Sequence, residues 1–347
     1  MGTRIITVND PELLKLIFVK DFDVFRNRRN FGSTDELFTK SLLLSEDDEW
    51  KNSRKILSQV FSSGEIRDYK EVFFSFAVNV VGKCFFGVEI DGGDPNGQFN
   101  IILQIVEARK GVKSDRMDFV QIAMDYLKDE NNKENSMGCF TVQEIIYHAI
   151  IFIMGGVETT STTLSLVAYN LAVYPEWQEK IQEEVDSIAE KHGCIDYDAV
   201  QEMPYLSAVI DETLRLYPAS VHGDRVCSTD YDLGSISLPK GTVVMYTQYS
   251  MHRNPEFWSN PEEFDPERFL GENVKNHHPY AYLPFIHGPR NCIAKRFALL
   301  ELKFCLARTL RKFRFVKCPQ TDVPVKFKSG MDTLAVHSVN LQVETRP

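Results

Sequence analysis

The chain has 347 residues, 43% of them hydrophobic and 25% charged, which is the balance of a globular protein with a sizeable core. Its formal net charge of −10 argues against a nucleic-acid partner. Seven cysteines are scattered singly, which predicts reduced thiols and leaves one available to ligate a metal. The apolar runs, of which residues 149–154 form the clearest, are too short to span a bilayer, and the first ten residues lack a signal-peptide pattern.

The N-terminal third of the chain predicts one short strand and several helices. Residues 4–8 favour a strand, and a helix is expected to begin at Asn9 or Asp10, with Pro11 in its first turn. Residues 50–61 predict a short basic helix. Residues 73–86 predict a strongly apolar helix that ends at Gly87.

The longest predicted element begins at Thr141, which can form a capping box with Glu144. The helical pattern continues to Tyr174, where Pro175 stops it. At about 1.5 Å per residue this helix is roughly 50 Å long, the width of a whole domain. A second helix is predicted from Pro175 to residues 191–193, which carry Lys, His and Gly, a typical C-terminal signature.

The last part of the chain mixes helices with short strands. Apolar residues recur at helical spacing over 206–214, and residues 293–313 predict another helix. Residues 226–247 predict short strands and turns, and residues 335–343 predict a hairpin strand. The sequence therefore predicts one domain over residues 1–347, mainly α with small β-sheets.

The segment FIHGPRNCIA, residues 285–294, is the most informative in the chain. Cys292 lies just before an apolar helix, whose N-terminus favours a thiolate, and a thiolate can ligate haem iron. Gly288 allows a close backbone approach to a flat cofactor, Arg290 offers a fork for a carboxylate such as a haem propionate, and Phe285 can shield the sulfur from water. The alternative is a buried structural cysteine.

Three other motifs have both a structural and a functional interpretation. GGVETT, residues 155–160, interrupts the long helix with two glycines and indicates either a close helix crossing or a local kink. Glu212 and Arg215 are spaced i, i+3 and are either a surface pair or a buried pair that needs a further partner such as Arg268. Trp50 and Arg54 share one helix face and could form a surface cation–π pair.

In their order along the chain, W-x-x-x-R, GGxETT, E-x-x-R with PERF, and F-x-x-G-x-R-x-C resemble the motifs of the cytochrome P-450 family of haem-thiolate monooxygenases. Residues 10–29 and 288–303 resemble its broad-substrate microsomal branch. The family usually has glycine two residues after the cysteine, where this chain has Ala294.

The resemblance implies a role for each of these motifs. Haem b would be bound by Cys292 as the metal ligand, and the residues that contact it would be Arg290, Phe285, Gly288, Trp50, Arg54, Arg225 and Arg28. Glu158 and Thr159 would be the acid–alcohol pair that manages protons during dioxygen activation, Met154 and Gly155 would line the substrate pocket, and Glu212, Arg215 and Arg268 would form a structural triad.

The resemblance also implies partners and a location. The substrate would be a lipophilic small molecule oxidised with O2, and electrons would come from an NADPH-dependent flavoprotein reductase, with a cytochrome b-type donor as a further source. Lys51, Lys55, Lys295 and Arg296 could form a basic patch for an acidic flavoprotein, or could simply be solvated. The location would be the cytosolic face of the endoplasmic reticulum membrane.

The chain is shorter than a complete family member. We expect it to lack the membrane anchor, and we expect the regions 62–71 and 92–116 to lack helices, so that part of the distal helical roof over the pocket is missing. A haem-binding protein that does not turn over, such as a splice form or fragment, is therefore one alternative. A haem-thiolate isomerase is another, although isomerases tend to lose the threonine that stands here as Thr159.

Overall fold

The computed structural model describes residues 3–30, 35–59, 77, 80–82, 104–109, 118–127, 140–234, 236–328, 333–334 and 336–346. The two stretches 62–71 and 92–116, where helices are expected to be missing, lie outside these residues except for 104–109. Residues 104–109 are helical, so the expectation is wrong for that part of the second stretch. The chain divides into two compact units, one formed by Met1–Phe25 together with Thr159–Pro347 and the other by Arg26–Glu158. They are called the first and the second unit below.

The regular elements lie as follows in chain order. The helices are α1 Pro11–Lys15, continued by a π-helix Leu16–Lys20, then α2 Glu36–Thr39, α3 Asp47–Leu57, α4 Phe119–Met124, α5 Val142–Val173, α6 Pro175–His192, α7 Tyr197–Gln201, α8 Pro204–Leu216, α9 Gln248–Met251 and α10 Lys295–Leu310. The strands are β1 Ile5–Thr7, β2 Gly223–Val226, β3 Tyr231–Asp232, β4 Ser237–Leu238, β5 Val243–Tyr246, β6 Phe313–Lys317 and β7 Leu341–Thr345.

Short sheets join distant parts of the first unit. Strand β5 is central in a three-stranded sheet, where β1 pairs with it in parallel and β2 pairs with it in antiparallel register. Strands β3 and β4 form a second sheet, and β6 pairs with β7 in a third. A buried cluster that includes Phe18, Tyr246 and Leu283 packs on the first sheet, with Ile286 against it. This core links the N-terminal segment to the segment that precedes α10.

Local signals set the ends of the helices in the first unit. Helix α6 ends where Gly193 adopts a left-handed conformation with φ of 75°, as predicted. Helix α8 begins at Pro204, and its first turn is capped from outside, because the Glu184 carboxylate accepts hydrogen bonds from the main-chain N–H groups of Tyr205 at 2.8 Å and Leu206 at 2.9 Å. A half-buried side chain of α6 thus fixes the start of α8.

The second unit contains the predicted capping box of α5. The Thr141 N–H donates to the Glu144 carboxylate at 2.7 Å, and the Glu144 N–H donates to Thr141 Oγ1 at 3.2 Å. One turn further on, His148 is fully buried and its Nδ1 accepts the Leu42 N–H at 3.1 Å. Burial lowers the pKa of His148 to about 4, although the negative charge of Glu144 opposes that shift.

The helix predicted over residues 73–86 lies outside the described residues except for 77 and 80–82. Two of the predicted elements in the described ranges differ from the structure in their bounds. The C-terminal strand, predicted over 335–343, forms at Leu341–Thr345 instead, because its position is set by pairing with β6. Helix α10 is shorter than predicted, because Phe313 begins the strand β6. A single-sequence pattern contains no direct signal of such pairing.

Within the described residues, one helix, α5, is long and apolar enough to cross a membrane by length and composition, and 44% of its most apolar stretch is buried. The expectation that the chain contains no run of this length is therefore wrong for α5. That expectation counted uninterrupted apolar residues, whereas α5 contains glycines and hydroxyl residues among them. Core helices of soluble proteins have the same length and composition.

Candidate functional site

Cys292 lies in a folded turn just before helix α10. Its N–H donates to the carbonyl oxygen of Phe285 at 2.9 Å, and the Asn291 N–H donates to the carbonyl oxygen of Gly288 at 3.1 Å. These two bonds close the loop from 285 to 292, and the thiol of Cys292 is exposed at its end. Helix α10 begins three residues later, at Lys295. The structure thus presents one thiol at the entrance to an apolar helix.

Gly288 packs against the backbone of the N-terminal segment. Its φ is +81°, and a Cβ at this position would lie 1.9 Å from the carbonyl oxygen of Phe18. The close approach that the sequence predicted for a flat cofactor is thus made here by protein backbone. Ile286 is also left-handed, with φ of 61°, which is unusual for a β-branched residue. The cysteine loop is therefore held by the Phe18 segment and carries local strain.

Arg225 on strand β2 is a buried cation with spare hydrogen-bond donors. The side chain is fully buried, and its Nη1 donates to the carbonyl oxygen of Asp224 at 2.7 Å and to the Tyr246 hydroxyl at 3.4 Å. Its Nε and Nη2 have no hydrogen-bond partner in the part of the chain that the structure describes. Its guanidinium lies 5.5 Å from the ring centroid of Phe18. Arg225 and the cysteine loop therefore both contact Phe18.

Arg290, two residues before Cys292, is the second arginine near this loop. Its side chain is 2% exposed. Two buried guanidinium groups, Arg225 and Arg290, with one of them short of acceptors, suit an anionic group such as a carboxylate. These two guanidinium groups thus fit the propionates of a haem, and a thiolate at Cys292 would fit its iron.

Glu212, Arg215 and Arg268 come together in the interior of the first unit. Arg215 donates to both Glu212 carboxylate oxygens at 2.6 and 2.8 Å, and Arg268 Nε lies 3.5 Å from Glu212 Oε1. Arg215 also donates to the carbonyl oxygens of His252 and Pro261, each at 2.8 Å. A buried ion pair is stabilising only when further hydrogen bonds satisfy it, and this pair has them.

His252 joins this cluster to Leu283, two residues before the cysteine loop. The sequence motifs did not predict this role. The Leu283 N–H donates to its Nε2 at 2.7 Å, and its Nδ1 lies 3.1 Å from the carbonyl oxygen of Arg215. Burial lowers the pKa of His252 to about 3, so the ring is neutral at physiological pH. A single histidine in the turn sequence HRNP has no spaced partner, so no sequence signal identified it.

The glycine-rich motif of α5 divides into two parts. Helix α5 continues without interruption through residues 155–160, and a Cβ on Gly156 would lie 3.2 Å from Val81 Cγ2, so close packing accounts for Gly156. At Gly155 a Cβ would meet nothing within 4 Å among the described residues, and Met154 is 50% exposed. The carbonyl oxygen of Thr159 accepts a hydrogen bond from the Thr163 hydroxyl at 2.8 Å.

The remaining predicted residues lie in the second unit. Trp50 and Arg54 lie about one turn apart on the same face of α3, where Trp50 is 4% exposed and Arg54 is half-buried. Arg28 is half-buried in the segment before α2, and Glu158 is exposed on α5. The structure brings Phe285, Gly288 and Cys292 into one loop, and Glu212, Arg215 and Arg268 into one cluster, both in the first unit.

Comparisons with known proteins identify the family of the chain. The family model for cytochrome P450 matches residues 96–345. Cytochrome P450 3A9 of Rattus norvegicus is 33% identical over 94% of this chain and 80% of its own length, and cytochrome P450 3A11 of Mus musculus is 34% identical over 93% and 79%. Cytochrome P450 3A7 of Homo sapiens is 32% identical over 98% of this chain and 82% of its own length.

A mainly helical fold with small sheets and this family match define a haem-thiolate monooxygenase, an oxidoreductase that depends on haem iron and O2. The chain belongs to the cytochrome P450 family. The alignment with the rat relative spans 406 positions, whereas the chain has 347 residues, so at least 59 aligned positions have no residue here.

Proposed function

We propose that Cys292 binds the iron of haem b and that the enzyme oxygenates a lipophilic small molecule. The observation that carries this proposal is the buried guanidinium of Arg225, which has unused donors and shares Phe18 with the cysteine loop. Buried guanidinium N–H groups without an acceptor are costly, and a propionate would supply acceptors for Nε and Nη2 of Arg225. The haem, when bound, supplies the activation of dioxygen.

The other residues that would hold the cofactor are Arg290, Trp50, Arg54 and Arg28. Arg290 is buried beside the ligand, and Trp50 and Arg54 share one face of α3. An arginine fork matches the two oxygens of a carboxylate, and an indole N–H can donate to one of them. Phe285 and the Phe18 carbonyl against Gly288 would hold the loop in place and limit the access of water to the thiolate.

Glu158 and Thr159 would handle protons on the substrate side, because a hydroxyl can both donate and accept and a nearby carboxyl can resupply the proton. Met154 and Gly155 would line the substrate pocket. Their exposure and the open space at Gly155 support this assignment. An exposed apolar methionine is a typical surface for contact with an apolar substrate.

The electrons would come from an NADPH-dependent flavoprotein reductase, with a cytochrome b-type protein as a further donor. Lys295 and Arg296 are exposed on the first turn of α10, and Lys51 and Lys55 are exposed on α3. Exposed basic residues favour encounter with an acidic flavoprotein even on an acidic chain. The cytosolic face of the endoplasmic reticulum membrane is the corresponding location by family resemblance.

A second candidate is a haem-binding protein with little turnover. The alignment positions without a residue in this chain favour it, because missing pocket-covering residues would let water reach the activated site and release peroxide. A haem-thiolate isomerase is less well supported, because Thr159 is present. NADPH consumption with and without a reductase separates the three possibilities. A monooxygenase would couple NADPH consumption to product, a protein with little turnover would couple it to peroxide, and an isomerase would form product without NADPH.

The test of the proposed ligand is Cys292→Ser in the haem-loaded protein. Reduction and addition of carbon monoxide should give the strongly red-shifted Soret band of thiolate-ligated haem in the wild type and not in the variant. Cys194→Ser is the matched control, because Cys194 is an exposed cysteine of the same unit and should leave the band unchanged. Retention of the band in Cys292→Ser would show that another residue is the ligand.

A further inference from the structure

We infer that His252 is a positioning residue for the Cys292 thiolate, acting through the main chain of the cysteine loop. This inference rests on the proposed role of Cys292 as the haem ligand. His252 lies outside the cysteine loop, and the hydrogen bonds of its ring run to the main chain of Arg215 and Leu283. It is fully buried, and each of its ring nitrogens lies within hydrogen-bond distance of one main-chain group.

The hydrogen bonds fix which ring nitrogen carries the proton. The Leu283 N–H can only donate, so His252 Nε2 must accept, and Nδ1 therefore carries the hydrogen and donates to the carbonyl oxygen of Arg215. In return, the Arg215 guanidinium donates to the carbonyl oxygen of His252 at 2.8 Å. Two hydrogen bonds thus join His252 to Arg215, and the Glu212 carboxylate in turn accepts hydrogen bonds from Arg215.

The other side of the ring controls the first turn of the cysteine loop. Leu283 is 1% exposed, so its N–H depends on the imidazole for a hydrogen bond, and an unsatisfied buried N–H is costly. The carbonyl oxygen of Leu283 accepts the Ile286 N–H at 3.2 Å, and this turn orients Phe285. The Phe285 carbonyl then accepts the Cys292 N–H at 2.9 Å. A continuous set of bonds therefore runs from the buried cluster to the proposed ligand.

This set of bonds has a specific consequence for the thiolate. The direction in which the Cys292 sulfur points depends on the loop main chain and on the helix N-terminus staying in place. Loss of the Leu283 anchor would let the Phe285 carbonyl move and weaken the alignment of Cys292. The expected result is a protein that still contains haem but in which Cys292 would bind the iron in a smaller fraction of the reduced carbon monoxide complex.

Three substitutions of His252 test its two hydrogen bonds separately. His252→Phe preserves the ring volume and removes both bonds. His252→Gln places an acceptor oxygen near the position of Nε2 and so preserves the bond from Leu283. His252→Asn places a donor nitrogen near the position of Nδ1 and preserves only the bond to Arg215.

A matched control for general loss of buried hydrogen bonds is Gln178→Leu. Gln178 is buried in the same unit and also bridges main-chain groups, donating to the Phe315 carbonyl oxygen at 2.9 Å and accepting the Phe315 N–H at 2.7 Å. These bonds hold β6 and not the cysteine loop. The control should lower the melting temperature without altering the ligand.

The measurement is the fraction of the red-shifted Soret band in the reduced, carbon monoxide-bound protein, together with hydrogen exchange over residues 283–292. We expect His252→Phe and His252→Asn to lose at least half of the red-shifted fraction and to exchange at least tenfold faster. His252→Gln and Gln178→Leu should keep at least four-fifths of the red-shifted fraction of the wild type.

Equal band fractions in the Asn and Gln variants would overturn the inference, as would a loss in Gln178→Leu as large as that in His252→Phe. If His252→Phe does not fold, the Asn and Gln pair decides the question alone. Absence of the band from the wild type, or its retention in Cys292→Ser, would instead refute the proposed ligand.

Discussion

Gly288→Ala tests how firmly the Phe18 segment holds the cysteine loop. The new Cβ would lie 1.9 Å from the Phe18 carbonyl oxygen and 2.8 Å from its carbonyl carbon. Ordinary contact begins at 3.4 Å, so one of the two backbones would have to retreat by about 1.5 Å. Neither obstacle is a flexible side chain, and the residue would also have to keep its φ of +81°.

The cost of this substitution has two parts. A left-handed conformation costs a non-glycine residue about 1–2 kcal/mol. Forcing extra volume into a packed interior typically adds about 1–3 kcal/mol. Together these parts are a substantial fraction of the roughly 5–15 kcal/mol that stabilises a domain.

Gly241→Ala is the matched control for the conformational part. Gly241 has φ of +84°, and a Cβ there would meet no atom within 4 Å in the part of the chain that the structure describes. The two variants should be compared at equal haem loading by thermal unfolding and by the Soret band of the reduced, carbon monoxide-bound protein. Gly288→Ala should melt several degrees below Gly241→Ala and lose red-shifted band, whereas the control should keep the band.

Equal melting of the two variants would refute the reasoning, because it would show that contact with Phe18 adds nothing to the backbone cost. A lower melting temperature with a normal band would show that Phe18 stabilises the fold without holding the loop.

Three further results are expected. Glu212→Gln should lower the free energy of unfolding by about 3–5 kcal/mol, because it leaves the fully buried Arg215 without a counter-charge. Glu267→Gln in the exposed pair with Lys180 should cost less than about 1 kcal/mol, and equal losses in denaturant titration would contradict a special role for the buried cluster. The unfolded chain protonates His148 near pH 6.5 and the folded chain only near pH 4, so unfolding takes up a proton between these values and the free energy of unfolding decreases as the pH is lowered. His148→Gln should remove about 2 kcal/mol of the stability that the wild type loses between pH 7 and pH 5. Parallel stability curves for the two proteins would contradict this. Thr159→Ala should leave haem content unchanged and divert NADPH electrons to peroxide, and unchanged coupling to product would return Thr159 to a packing role.

The parts of the fold that could be predicted from the sequence depend on residues close together in the chain. The Thr141–Glu144 capping box and the end of α6 at Gly193 are local, and both are confirmed. The reason for Gly288 could not be predicted, since Phe18 lies at the other end of the chain. The sequence motif marked the correct glycine, but the partner required the tertiary structure.

The candidate site shows the same division. The spacing of Glu212 and Arg215 predicted a pair, and the PERF motif supplied Arg268, which lies in contact with them. His252 could not be predicted, because its partners are a main-chain carbonyl and a main-chain N–H. Main-chain groups are present at nearly every residue, so a contact with them produces no residue pattern.

The pairing of the N-terminal segment with the last third of the chain also constrains how the protein can be made. Glu12 meets His278 across 266 residues of sequence, Asn9 meets Thr247 across 238, and Tyr231 meets Asp21 across 210. A ribosome adds about 5–20 residues per second, so the first segment waits on the order of tens of seconds before its partners emerge. During that time Phe18 and its apolar neighbours have no native cover, and long-range contacts of this kind form slowly. The cysteine loop is therefore among the last parts of the first unit to close, and haem would be captured late, after nearly the whole chain has left the ribosome.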